Sequence, residues 1–267
     1  MKLGAETCPI MVVWMASVTL LLCTASSQAA DKAAGSARPN PVATYTTTFD
    51  GDENPLSEGG NWLHNGLDWA KIRKGGGIAY GTQSGTNAGA ARYDDSYAHL
   101  SGFPPNQEAW GKVHIAKPDP SCHQELEILL RWTSSAHSTT GYECFARCVK
   151  GASSYVQIVR WEGPLGKFTY LANKEGADYG LKDGDTLKAS IAGNVITVYI
   201  NGVEKARVKD DTYKTGNPGI GVFLQCDGRH GAGPNKDYGF KSFTARAIED
   251  ADQQQGETKP QTASSGR

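Results

Sequence analysis

The chain has 267 residues, of which 39% are hydrophobic and 21% charged, and its formal net charge at pH 7 is −1. This length suits one large β domain, and the near-neutral charge, without a run of Lys or Arg, argues against nucleic acid or an anionic membrane surface as a partner. Glycine is abundant, at 32 residues, as expected of a chain with many tight turns.

Residues 1–29 have the layout of a secretory signal peptide. Lys2 precedes an apolar run from Ile10 to Cys23, and small residues follow up to Ala29. The run is shorter than the roughly 20 apolar residues of a membrane span. We therefore predict a secreted or periplasmic protein that has no membrane partner once the signal is removed.

The rest of the chain divides into a linker, one domain and a tail. Residues 30–43 are small, polar and proline-containing, which is typical of a linker. Residues 44–247 alternate strand-like runs with turn signals and show no long helical period, which predicts an all-β domain. Residues 248–267 are charged and low in apolar side chains, so we predict a disordered tail.

The clearest strand signals lie in the run DTLKASIAGNVITVYINGVEKARV. Apolar and polar residues alternate there, and the pairs Gly193-Asn194 and Asn201-Gly202 interrupt the alternation. Asn-Gly is a strong signal for a two-residue hairpin turn. The run therefore predicts three antiparallel strands in succession.

The four cysteines that follow the signal form an even set, as expected in an oxidising compartment. Cys144 and Cys148 lie four apart on one predicted strand, about 13 Å between Cα atoms, which exceeds the roughly 7 Å limit for a disulfide. Folding the strand after Cys122 back on the next strand brings Cys122 near Cys148. We predict the disulfides Cys122–Cys148 and Cys144–Cys226; two or four free buried thiols are the alternative.

Two parts of the sequence resemble the concanavalin A-like superfamily of lectins and glucanases, with its laminin-G-like branches. One is the opening FDGDENPLSEGGNW, and the other is the closing series GDTLKASIAGNVITVYINGVEKARV, GNPGIGVFL and DYGFKSFTA. The resemblance covers roughly residues 44 to 247 and implies a two-sheet antiparallel β-sandwich of the jelly-roll type. It implies no single activity, because lectins, glycosidases, lyases and adhesion modules share this architecture.

The stretch QELEILLRW, residues 124–132, carries the main functional signal. Glu125, Glu127 and Arg131 project from the same side of a strand, because side chains alternate. If the next two strands are neighbours, the same face also collects Glu143, Arg147, Tyr155, Gln157 and Trp161.

Such a face has the chemistry of carbohydrate binding. Aromatic rings pack on the C–H groups of pyranoses, and guanidinium, carboxylate and amide groups match vicinal hydroxyls. We predict a lectin-like domain that recognises an extracellular polysaccharide or oligosaccharide. The alternative is a solvated sheet face whose charges only pair across strands.

A polysaccharide-cleaving enzyme using the same groove is the runner-up. Glu125 and Glu127 would then be the acid and nucleophile of a glycosidase. The glucanases that the chain resembles carry three acids, in the pattern E-x-D-x-x-E or E-x-D-x-E, and ELEILL lacks the third. A lyase would instead need Arg131 to neutralise a uronate carboxylate, and Val159 stands where the Q-I-H motif of alginate lyases has histidine.

The resemblance also implies a metal site. Many jelly rolls of this superfamily carry a structural calcium between the first acidic turn and the last strand, and Asp50, Asp52 and Asp237 are the corresponding oxygen donors. Alternatively, the aspartates of this turn only cap their own backbone. A calcium-dependent, protein-binding adhesion module is accordingly a third functional class. We predict no other cofactor.

Overall fold

The computed structural model describes residues 44–83, 95–226, 229–230 and 235–249. The predicted signal peptide and linker, and the predicted tail beyond residue 249, lie outside these residues. The strands of the described chain are β1 Thr44–Thr47, β2 Ala70–Lys71, β3 Arg73–Lys74, β4 Ala79–Tyr80, β5 Ser96–His99, β6 Gln107–Ile115, β7 Cys122–Ser135, β8 Ser138–Arg147, β9 Tyr155–Gly163, β10 Phe168–Glu175, β11 Thr186–Ala192, β12 Val195–Ile200, β13 Val203–Lys209, β14 Asn217–Cys226, β15 Arg229–His230 and β16 Tyr238–Ala247. A short 3₁₀ helix, Ala177–Tyr179, precedes β11.

The described strands form two sheets of eight. Sheet 1 has the order β13-β12-β11-β6-β16-β4-β3, with β1 also beside β16. Sheet 2 has the order β10-β9-β8-β7-β14-β5-β2, with β15 also beside β14. Pairing is antiparallel apart from the short parallel contact of β2 with β5. The predicted two-sheet antiparallel β-sandwich is confirmed.

The main hydrophobic core lies between the two sheets. Alternation along β7 sends Leu126 and Ile128 into this core, and alternation along β14 sends Ile220 and Val222 into it, all fully buried. The intervening side chains of the same strands therefore lie on the face of sheet 2 that is turned away from sheet 1. We call it the outer face.

The three successive strands predicted near the end of the domain are present as β11, β12 and β13. Asn201 and Gly202 connect the last two, with φ angles of 53° and 79°. Positive φ at both central residues is the geometry of the tight turn that Asn-Gly favours. Sheet 1 therefore ends in the hairpins that the sequence signals.

Both predicted disulfides are wrong. Cys122 is bonded to Cys226, while Cys144 and Cys148 are free and buried. The reason is the register: β14 pairs with β7 so that Cys226 lies opposite Cys122, whereas the Cys148 N–H donates to the carbonyl oxygen of Gln124. Cys148 thus lies opposite Gln124, two residues along β7 from Cys122.

Replacing both Cys122 and Cys226 with Ser is expected to lower the free energy of unfolding by about 3 to 5 kcal/mol. The bridge joins residues 104 positions apart, so its loss frees a long loop in the unfolded chain. Urea denaturation measures the change, and added reductant should destabilise the wild type without affecting the double variant. A non-reduced peptide map that links Cys122 to Cys148 would contradict this pairing.

Candidate functional site

A cleft of about 430 Å³ opens on the outer face of sheet 2. We call it the outer cleft. Five strands contribute to it, together with residues of two adjoining loops, and its walls carry both carboxyl groups and aromatic rings. The lining residues are Asp95, His123, Glu125, Glu143, Phe145, Arg147, Ser153, Tyr155, Gln157, Val159, Trp161, Phe168, Tyr170, Glu175, Phe223 and Gln225.

The pairing of β7 with β8 brings three glutamates together. Glu125 and Glu127 share the outer face of β7, as predicted, and Glu127 lies opposite Phe145. Glu143 lies opposite Leu129, and is therefore a diagonal neighbour of Glu127. The neighbouring strand thus places a third carboxyl beside the position where the E-x-D-x-E pattern carries its last acid.

Glu125 lies at the end of a hydrogen-bonded chain. The Tyr155 hydroxyl donates to Glu125 Oε1, and His123 Nδ1 lies 2.8 Å from the Tyr155 oxygen. Since that hydroxyl proton is committed to Glu125, the His123 ring nitrogen is the donor in the second bond. Burial raises the pKa of Glu125 to about 7, although the Tyr155 hydrogen bond and the Arg147 charge oppose the rise.

Glu127 and Glu143 form a buried carboxyl pair. Burial raises the pKa of both, and for Glu127 the charge of Glu143 adds to the effect. Their carboxyl groups are within hydrogen-bonding reach of each other, which requires a proton on one of them. We infer that the pair holds a proton at neutral pH. Trp161 Nε1 donates to Glu143 Oε2 and moderates the rise of its pKa.

The Glu127 carboxyl group lies in the space left by the missing side chain of Gly221. A Cβ atom on Gly221 would lie only 1.7 Å from Glu127 Oε2, so any larger residue on this part of β14 would displace the carboxyl group. Sequence reasoning missed this contact. The signal is the alternation of Gly219 and Gly221 in NPGIGVFL, which leaves the outer face of β14 without side chains opposite Leu129 and Glu127.

Arg131 does not join the predicted face. A register shift in β7 between Leu130 and Thr133, with Arg131 at a φ of 46°, interrupts the alternation that the prediction assumed. Its guanidinium donates to the carbonyl oxygens of three loop residues: Pro105, Gly193 and Tyr213. Arg131 is therefore not among the residues that line the outer cleft.

Arg147 lines the cleft as predicted, but four of its five N–H donors bind carbonyl oxygens of the protein. Its guanidinium donates to the carbonyl oxygens of Pro120, Cys122 and Ser153, at 2.7 to 3.2 Å. Its side chain thus anchors the ends of β7 and β8, and it supplies the cleft mainly with charge.

The predicted aromatic and amide residues have different exposures. Trp161 is 2% exposed and packs on Trp69, with ring centroids 4.6 Å apart, so its main contact is Glu143 and the protein interior. Gln157 Nε2 donates to Asn173 Oδ1. The exposed ring is that of Tyr170, at 55%, which the prediction did not include although Phe168 and Tyr170 alternate in KFTYL.

No protein-family model and no curated protein sequence matches the chain. A solved structure from work on endo-acting O-glycanases that human gut bacteria express for mucin breakdown aligns with a TM-score of 0.51 and 11% identity, over 78% of this chain and 100% of that one. A lichenase from a mouse hindgut metagenome aligns with a TM-score of 0.47 and 14% identity, over 78% of this chain and 100% of that one. The CBM66 carbohydrate-binding module of Bacillus subtilis aligns with a TM-score of 0.45 and 14% identity, over 71% of this chain and 93% of that one.

The chain has the concanavalin A-like jelly-roll fold. At identities this low the likeness is one of fold, and it assigns no activity. In this jelly roll, the outer cleft occupies one exposed face of a sheet whose other face forms the core.

The predicted calcium ligands of the jelly roll make other contacts. Asp50 accepts from the Thr48 hydroxyl at 2.7 Å, and Asp237 lies 3.5 Å from Lys117 Nζ. Within the described ranges, no group of three or more His, Cys, Asp or Glu side chains is placed to hold a metal ion. Asp50, Asp52 and Asp237 alone therefore do not form a fitting site, and calcium stays a prediction that would need main-chain ligands.

The raised pKa of Glu125 predicts a pH-dependent stability difference. A carboxyl whose pKa rises on folding, here from 4.5 to about 7, stabilises the fold fully below the unfolded pKa and loses that effect as pH rises through the folded one. The free energy of unfolding of Glu125→Gln, minus that of the wild type, should therefore increase as the pH rises from about 4.5 to above 7. Urea denaturation at a series of pH values measures this difference. Glu204→Gln, an exposed control on β13, should show no such gain; a Glu125→Gln curve parallel to the wild type would contradict the assignment.

Proposed function

We propose that the protein binds a carbohydrate chain in the outer cleft. The observation that carries this proposal is the combination, in one cleft, of hydrogen-bonding carboxyl and amide groups with the rings of Tyr155, Phe168 and Tyr170. Rings of this kind pack against the C–H faces of sugars, while the polar groups fix their hydroxyls. The cleft volume, about 430 Å³, falls within the range of small-ligand sites.

Hydrolysis of that glycan is the second candidate, and the position of Glu143 specifically favours it. The carboxyl pair of Glu127 and Glu143 holds a proton that Glu143, on the cleft wall, is placed to donate to a leaving oxygen. Glu125, which is partly ionised at neutral pH because its pKa is about 7, supplies the base or nucleophile in its ionised form. Two carboxyl groups in these opposite protonation states are what glycoside hydrolysis needs.

A lyase reaction has less support. Elimination from a uronate needs a group that neutralises the sugar carboxylate. Arg131, predicted for that role, lies outside the cleft, and four of the five N–H donors of Arg147 bind carbonyl oxygens. We therefore do not extend the proposal to a lyase.

We further propose that the protein works outside the cytoplasm. The disulfide between Cys122 and Cys226 supports this location, because such bonds persist in oxidising compartments. Among the described residues, no helix has the length and apolar character to cross a membrane.

Tyr170→Ala is expected to weaken glycan binding about 5-fold or more, since stacking against an aromatic ring contributes roughly 1 kcal/mol. Affinity electrophoresis or calorimetry against a panel of β-glucans, mannans, xylans and mucin glycans measures the loss. Val203→Ala is the matched control, because Val203 is as exposed, at 59%, but lies on β13 of sheet 1. Equal affinities for the two variants would place the ligand elsewhere.

Glu125→Gln and Glu143→Gln are each expected to reduce the release of reducing ends about 100-fold or more while leaving binding measurable, if the glycan is hydrolysed. Both replacements keep the side-chain shape and remove the titrating group. Retention of a glycan without any product from the wild type would eliminate hydrolysis and leave the binding proposal intact.

A further inference from the structure

Carboxyl groups on the strands of the outer cleft outnumber the described cationic groups beside them. Three of the strand residues that line it are acids, Glu125, Glu143 and Glu175, and one is an arginine, Arg147. Glu127 lies beneath them, 1% exposed, and its Oε1 has no hydrogen-bond partner in the described chain. A buried carboxyl oxygen without a donor is unfavourable.

The cationic residues of the cleft do not relieve this shortage. The Arg147 guanidinium donates to carbonyl oxygens of Pro120, Cys122 and Ser153, so most of its donors are already engaged. Burial lowers the pKa of His123, and the nearby charge of Arg147 adds to the effect, so the ring is neutral at pH 7. A ligand that enters the cleft therefore meets more carboxyl oxygens than the described cationic groups satisfy.

Glu125 Oε2 is the accessible acceptor of the outer cleft. The Tyr155 hydroxyl donates to Oε1 of Glu125, and no donor among the described residues reaches Oε2. Glu125 also lies on the cleft wall, unlike Glu127. A ligand group that contacts Glu125 Oε2 would lie near the Glu127–Glu143 carboxyl pair, because these residues influence one another electrostatically.

We propose that the outer cleft selects a glycan that carries a free, protonated amine, such as a chain of de-N-acetylated hexosamine, and rejects uronates. This inference rests on the proposed carbohydrate function and specifies its substrate class. An ammonium group brings three donors and a positive charge to the acids. A uronate brings further acceptors and a like charge, which carboxylates in a low-dielectric site repel strongly. A metal ion fits less well, since the described side chains include no metal-binding group of three.

The test is calorimetry of the wild-type protein with four tetrasaccharides of equal length: β-1,4-linked glucosamine, N-acetylglucosamine and glucose, and a galacturonate. At neutral pH and about 0.15 M salt, which screens general surface attraction, the glucosamine chain should bind about 10-fold or more tightly than the glucose chain. The galacturonate should bind weakest. Glu125→Gln should abolish most of the preference and retain binding of the neutral chains, whereas Glu204→Gln should leave it unchanged.

The outcomes separate the two proposals. If a neutral or N-acetylated chain binds as tightly as the amine and Tyr170→Ala weakens it, the carbohydrate function stands and amine selection is wrong. If the galacturonate binds tightest, amine selection is also wrong. If Glu204→Gln loses the preference to the same extent as Glu125→Gln, the preference reflects general surface attraction and amine selection is wrong. If no chain binds, or Tyr170→Ala has no effect on any of them, both proposals fail.

Discussion

The register between β7 and β8 is the constraint on which the candidate site depends. It sets Glu143 opposite Leu129 and diagonal to Glu127, while strand alternation holds Glu125 on the same face. A shift of one residue would send these carboxyl groups into the hydrophobic core and the core leucines onto the surface. The buried core between the sheets thereby fixes the position of the acids as firmly as it fixes its own packing.

The acids in turn make this part of sheet 2 costly to fold. Buried carboxyl groups are unfavourable unless donors reach them, and the donors here come from aromatic residues, Tyr155 for Glu125 and Trp161 for Glu143. These rings contribute apolar surface and a polar hydrogen in one side chain. The aromatic layer of the outer face is therefore both a packing surface and the support of the acid cluster, and it leaves Glu127 incompletely satisfied. Such an arrangement is typical of a site that is maintained for function.

Local patterns predicted much of this fold but only part of its site. Alternation and Asn201-Gly202 suffice for the terminal hairpins, because their strands are adjacent in sequence. Alternation also places Glu125, Glu127, Glu143 and Arg147 on one face. It fails for Arg131, where a register shift interrupts β7, and for the disulfide, because the pairing of β14 with β7 joins segments about 100 residues apart. The contact of Glu143 with Glu127 needs a known strand register, which no single-strand pattern supplies.

The tight fit of Glu127 against Gly221 has an evolutionary consequence. Because a Cβ atom at position 221 would meet the Glu127 carboxyl at 1.7 Å, an acid at position 127 requires glycine at position 221. A lineage that acquires a larger residue on β14 must first, or at the same time, shorten the residue on β7, and so lose one member of the acid cluster. Homologous chains should thus lack one combination, an acid at position 127 together with a residue larger than glycine at position 221.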